Sequence, residues 1–184
     1  NGGNNDDRLT VTSVSSPTVG EGGNLVFTIN LSGTSTTATT VNVTPSSGTA
    51  TLGSAGVITV SGLNPGASAV LTVTALRSGY STTSTTISGS AALGQAYIPV
   101  IGNVVSNATG FTAEIANYDS AYTWSAVAEV AGPTITITGE IITVAGVTLG
   151  SSATVILTAT RTGYAPGTTQ FSGVAIAPVV VTLG

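Results

Sequence analysis

The chain has 184 residues, of which 41% are hydrophobic and 5% charged, with no histidine, cysteine, lysine or methionine and a net charge of −4. Three arginines and no lysine cannot neutralise a nucleic-acid backbone, and thiol, zinc-thiolate, Ser-Lys and Ser-His-Asp chemistry are excluded for want of the residues. The high apolar and low charged content is the reverse of a disordered tail, so the chain should fold, and no apolar run approaches the roughly 18 residues of a membrane helix.

Residues 1–8, "NGGNNDDR", read as a polar leader. Asp6 and Asp7 lie among amide oxygens, but adjacent carboxylates lack the alternating spacing of a calcium loop, so a solvated segment is expected. The chain opens on Asn1 with no signal-like apolar stretch, which reads as a mature product or a fragment.

From residue 9 to 92 the pattern is that of short strands. "NLVFTINL" (Asn24–Leu31), "TVNVT" (Thr40–Thr44), "VITVSG" (Val57–Gly62) and "AVLTVTAL" (Ala69–Leu76) alternate apolar and polar residues and are rich in Val, Ile and Thr. "EGGN", "SGTS", "PSSG" and "NPGAS" supply the turns between them. Residues 93–177 repeat the pattern in "TGFTAEIAN", "YTWSAVAEV", "TITITGEIITVAG", "ATVILTATR" and "TTQFSGVAIA". Helical periodicity is absent throughout. About seven strands per unit predicts an all-β fold of two tandem immunoglobulin-like sandwiches, residues 9–92 and 93–177.

The two halves are copies. Ile58–Tyr80 aligns without a gap on Ile142–Tyr164, at an offset of 84 residues, and Phe27–Thr28 recurs as Phe111–Thr112 at the same offset. Constant spacing through divergent sequence implies a duplicated structural unit. Each copy carries "RxGY" after its longest strand: Arg77 to Tyr80, and Arg161 to Tyr164. Gly79 and Gly163 are expected at positive φ, Tyr80 and Tyr164 as caps on the sandwich end, and the two arginines as donors to loop oxygens. The following stretch, ending in "SG" at Ser88–Gly89 and Ser172–Gly173, should pair back as a hairpin.

With "NYDSAYTW" (Asn117–Trp124) before it, this hairpin resembles the immunoglobulin-like repeats of large bacterial surface proteins. Thr18–Thr51 resembles a Calx-beta segment. That resemblance implies acidic calcium ligands, among them an Asp shortly after "GTAT". Here "GTATLGSAG" (Gly48–Gly56) has no carboxylate, and Glu21 alone is in a matching place. No cofactor and no metal are therefore assigned.

Seven carboxylates are the whole acid–base inventory. Glu114 and Glu129 are expected on adjacent strands, close to each other, but a glycosidase needs such a pair converging across a cleft with sugar platforms around it. No enzyme is expected. Trp124 reads as the inward tryptophan of a sandwich, and Tyr118 and Tyr122 as candidate ligand contacts. Asn30, Asn42 and Asn107 head N-x-S/T sequons and are candidate glycan acceptors.

The segment 178–184, "PVVVTLG", continues beyond the last strand the second sandwich needs. Pro178, Val179, Val180, Val181, Thr182 and Leu183 form a candidate donor strand, able to add to a neighbouring copy's sheet head to tail. The first functional reading is accordingly a subunit of an extracellular filament or surface appendage whose partners are copies of itself. The alternative is a pair of stalk or ligand-binding modules of a larger surface adhesin, with a cell-surface or glycan ligand.

Overall fold

The structure, a computed structural model, describes residues 10–14, 17–19, 23–32, 40–78 and 82–178. The chain divides into two compact units, Asn1–Gly94 and Gln95–Gly184. The first contains β1 (Thr10–Val14), β2 (Thr18–Val19), β3 (Leu25–Ser32), β4 (Thr40–Pro45), β5 (Thr49–Leu52), β6 (Val57–Ser61), β7 (Ser68–Leu76) and β8 (Thr83–Ser90). The second contains β9 (Ile101–Asn107), β10 (Gly110–Ile115), β11 (Thr123–Ala128), β12 (Thr134–Thr138), β13 (Ile141–Ala145), β14 (Ser152–Thr160) and β15 (Gly167–Val174). No α-helix occurs among the described residues. The protein is all-β.

Each unit holds two antiparallel sheets. In the first unit they run β1-β3-β6-β5, with β2 also on β3, and β4-β7-β8. In the second they run β12-β13-β10-β9 and β11-β14-β15. Alternation makes each sheet one-sided, because successive side chains point to opposite faces. Leu25, Phe27, Ile29, Ile58 and Val60 of one sheet meet Ala69, Leu71 and Val73 of the other in the first core. Phe111, Ile115, Ile142 and Val144 meet Val155 and Leu157 in the second. Burying each such aliphatic or aromatic side chain contributes about 1.5–3 kcal/mol.

The 84-residue offset holds in the strand pairing for β6, β7 and β8, which fall on β13, β14 and β15 residue for residue. β4 falls on β11 at an offset of 83 and β5 on β12 at 85. The hairpin predicted after each arginine forms in identical register, Ala75 opposite Thr83 and Ala159 opposite Gly167. Phe27 and Phe111 are both fully buried, as are Ile58 and Ile142.

The repeated "SG" also has a packing cause. A Cβ on Gly173 would penetrate the Phe111 ring, and one on Gly89 would lie 2.5 Å from Pro17 Cγ. Gly163 takes φ 83°, the left-handed conformation expected of its turn. Its counterpart Gly79, with Tyr80, lies outside the described residues.

The copies part company at their first strands. In the first unit this edge is split: β1 and β2 both pair with β3, on either side of Pro17, whose ring nitrogen has no proton to donate. In the second unit β9 is one strand, paired with β10 from Asn107 opposite Gly110 to Ile101 opposite Ile115.

Candidate functional site

Aromatic residues of the second unit gather at one end of its sandwich. β11 starts and β14 stops at that end, because the two strands are antiparallel, with Thr123 opposite Thr160. Trp124 is the second residue of β11, and Arg161 directly follows β14. The connection 116–122 contributes Tyr118 and Tyr122, the segment before β9 contributes Tyr97, and the turn into β15 contributes Tyr164.

The rings touch one another. Tyr97 stacks on Tyr122 with centroids 4.5 Å apart, and Tyr118 stacks on Trp124 at 5.7 Å. Tyr97 meets Trp124 edge-on at 6.3 Å, and Tyr122 meets Tyr164 edge-on at 6.4 Å. The guanidinium of Arg161 lies 4.9 Å from the Tyr164 ring centre and 5.7 Å from that of Tyr122. Offset and edge-to-face pairs are the arrangements the ring quadrupole favours, each worth about 0.5–1.5 kcal/mol beyond area burial.

Polar atoms fix the cluster in place. Tyr97 Oη–H donates to the Asn117 carbonyl at 2.7 Å, and Trp124 Nε1–H donates to the Asp119 carbonyl at 3.0 Å. Asn117 locks the loop to the segment before β9: its Oδ1 accepts from the Val100 amide, and its Nδ2 donates to the Ile98 carbonyl. Asp119 Oδ1 accepts from the Ala121 amide, tightening the turn between the two tyrosines. The rings are half-buried except Tyr118, which keeps 39% of its surface exposed, and Arg161 is exposed.

Tyr118 and Tyr122, singled out in the sequence, are thus brought together. Trp124 points inward as expected of a sandwich tryptophan. It packs against the second core from a half-buried position, and its ring also belongs to the cluster. Sequence reasoning missed Tyr97, which lies more than twenty residues upstream in a segment without strand pattern. The signal available was internal comparison. The first unit's only aromatic residues are Phe27 and Tyr80. Strand pairing places its Val41, opposite Ala75, where the second unit has Trp124, opposite Ala159. Arg161 and Tyr164, by contrast, correspond to Arg77 and Tyr80 at the 84-residue offset. The arginine and one tyrosine belong to the module; the other four rings belong to the second copy alone.

Glu114 and Glu129 do not converge. Consecutive strands β10 and β11 lie in different sheets, so the two carboxylates fall on opposite outer faces. Glu114 Oε2 accepts from Asn103 Nδ2 at 3.2 Å, and Glu129 Oε2 accepts from Gln170 Nε2 at 3.3 Å. A depression of about 410 Å³ beside Glu129, lined also by Pro133, Val147 and Thr148, lies at the end of the sandwich opposite the ring cluster. Among the described residues no three His, Cys, Asp or Glu side chains group to hold a metal ion. Asp6, Asp7 and Glu21 lie outside the described residues.

The sequons are dispersed and exposed. Asn30 is on β3 and Asn42 on β4, in different sheets, while Asn107 ends β9. Asn107 Oδ1 accepts from both the amide and the hydroxyl of Thr109, its own sequon threonine. Of the candidate donor strand, Pro178 is exposed beside Asn107 and Ile176, and Val179, Val180, Val181, Thr182 and Leu183 lie outside the described residues. Among the described residues no helix is long and apolar enough to cross a membrane.

No family profile and no curated protein sequence matches the chain. Among solved structures it is similar to a SusE-like, surface-located polysaccharide-binding protein from the Bacteroides thetaiotaomicron heparin utilisation locus. The match has 12% identity and a TM-score of 0.30, and it covers 85% of this chain and 32% of that one.

Proposed function

We propose that the protein is a pair of extracellular β-sandwich modules, of which the second binds a glycan on its aromatic cluster. The observation that carries this reading is the confinement of four rings to one copy of a duplicated fold. Phe27 and Phe111, Ile58 and Ile142, and the glycines of both hairpins recur because the sandwich needs them. The first copy has no aromatic ring besides Phe27 and Tyr80, with Val41 where the second has Trp124, and it folds without Tyr97, Tyr118 and Tyr122. The sandwich does not require Tyr97, Tyr118 and Tyr122, so their work is recognition.

Sugars suit such a surface. The C–H face of a pyranose packs on the electron-rich face of an aromatic ring, while tyrosine hydroxyls and an arginine at the rim bond its hydroxyls. The inventory holds no nucleophile with a base beside it, so the site binds without turnover. An extracellular location agrees with a lysine-free, cysteine-free, Thr- and Ser-rich chain.

Trp124 is the only tryptophan, so intrinsic fluorescence reports on the cluster directly. Titration with soluble polysaccharides is expected to change its emission saturably. Tyr118→Ala should weaken binding at least about ten-fold, equivalent to about 1.4 kcal/mol, with the far-ultraviolet spectrum unchanged. A Tyr118→Ala protein that binds as well as wild type would remove the cluster from consideration.

Polymerisation through strand contacts is a second reading, favoured by β9. This strand lies at the edge of its sheet, and Val104 and Val105 are exposed, as are Ile98 and Val100 before it. An apolar open edge is a template for another strand. Sedimentation of the whole chain against a form ending at Ala177 tests it: the filament reading requires large assemblies for the first and single copies for the second.

A further inference from the structure

We infer that the glycan bound at the aromatic cluster is acidic, bearing carboxylate or sulfate groups that Arg161 engages. The inference rests on the reading of the cluster as a glycan site and adds the chemical class of its ligand.

Arg161 is the sole cation of the second unit, since the other two arginines are Arg8 and Arg77. Its position is set on both sides: β14 delivers it to the end of the sandwich, and the rings of Tyr164 and Tyr122 hold its guanidinium. Among the described residues these ring contacts are accompanied by no ion pair. Of the unit's four carboxylates none pairs with Arg161: Glu140 is exposed in the turn between β12 and β13, and the other three are occupied elsewhere. Glu114 bonds Asn103, Glu129 bonds Gln170, and Asp119 turns its Oδ1 to the Ala121 amide.

A guanidinium held beside ring faces keeps N–H donors that the rings do not use, and on an exposed side chain these can turn to a ligand. Those donors match the geometry of a carboxylate or sulfate, which they bond in pairs. The corresponding Arg77 is half-buried, and its module places Val41 where the second unit has Trp124. The duplicated arginine has thus been raised into solvent in one copy, beside the surface on which a sugar ring would stack. Such an arginine adds a charge requirement to a surface that otherwise reads ring shape alone.

The test uses polymer pairs that share a backbone and differ in charge: polygalacturonate against its methyl ester, and dextran sulfate against dextran. Binding to the full chain is read by Trp124 fluorescence at low and at physiological salt. The charged member of at least one pair should bind about ten-fold or more tightly than its neutral partner, with the preference shrinking as salt rises. Which pair shows it separates carboxylate from sulfate.

Arg161→Gln should abolish the preference, Arg161→Lys should retain part of it, and Arg77→Gln should leave it intact. The melting temperatures of all three show whether each is folded. Equal binding of charged and neutral members, or a preference that survives Arg161→Gln in a folded protein, overturns the acidic ligand while leaving the glycan site standing. Absence of binding to all four polymers overturns the acidic ligand, and an unaltered response in Tyr118→Ala with any other glycan overturns the site itself.

Discussion

Gly173 shows how one atom decides packing in this fold. Its Cα lies under the fully buried Phe111, which also meets Phe171 edge-on at 6.2 Å. A methyl group at Gly173 has nowhere to go, because the ring it meets is itself enclosed and cannot rotate away. Gly173→Ala should therefore destabilise the second unit by about 1–3 kcal/mol, the usual cost of overpacking a core. In a urea titration followed by Trp124 fluorescence, the midpoint is expected to fall with little change in slope. An unchanged midpoint would mean that Phe111 is not held as described. Arg161 and Arg77 make the complementary point: the same residue at the same place in a duplicated fold is exposed in one copy and half-buried in the other. Its neighbours, rather than its position in the module, set what it can do.

At the level of elements, the connection 116–122 between β10 and β11 is the feature that builds the site. It bridges the two sheets, and Asn117 ties it back to the segment before β9 through two side-chain bonds of 2.8 and 2.9 Å. Asn117→Ala removes both bonds while keeping the carbonyl that accepts from Tyr97. The expected loss is about 1–2 kcal/mol of local stability, seen as faster amide exchange at Val100 and a several-fold weaker glycan affinity with the core strands unaffected. If affinity is unchanged while exchange quickens, the platform does not depend on that loop being fixed. The turn chemistry of "NYDS" was plain in the sequence, and so was the candidacy of Tyr118 and Tyr122. The ring that completes the stack, Tyr97, was not. Its partner Tyr122 is far along the chain, and only the run of β10 to the end of the sandwich where the segment before β9 also lies unites them.

For the whole molecule, composition sets the response to pH. Apart from the α-amino group, the groups that ordinarily titrate between about pH 6 and 9 are His and Cys, and the chain has neither. Folded and unfolded chains therefore bind equal numbers of protons across that window, and the slope of stability with pH is close to zero. The melting temperature should hold constant within about 2 °C from pH 6 to 9. A larger drift would reveal a carboxylate strongly perturbed by its surroundings.

The sequence by itself determined the all-β class, the duplication at 84 residues and the presence of the repeated hairpin. These rest on alternation and turn residues, which are local, and on spacing, which a duplicated chain preserves. It also excluded the chemistry of every residue type it lacks. Tertiary structure decided which groups meet. Strands adjacent in sequence went to different sheets, so Glu114 and Glu129 parted, while distant segments met at one end of the second unit and joined five rings to Arg161. The physical reason is that pattern along a strand fixes which face a residue takes, whereas the pairing of strands across the sandwich fixes its neighbours.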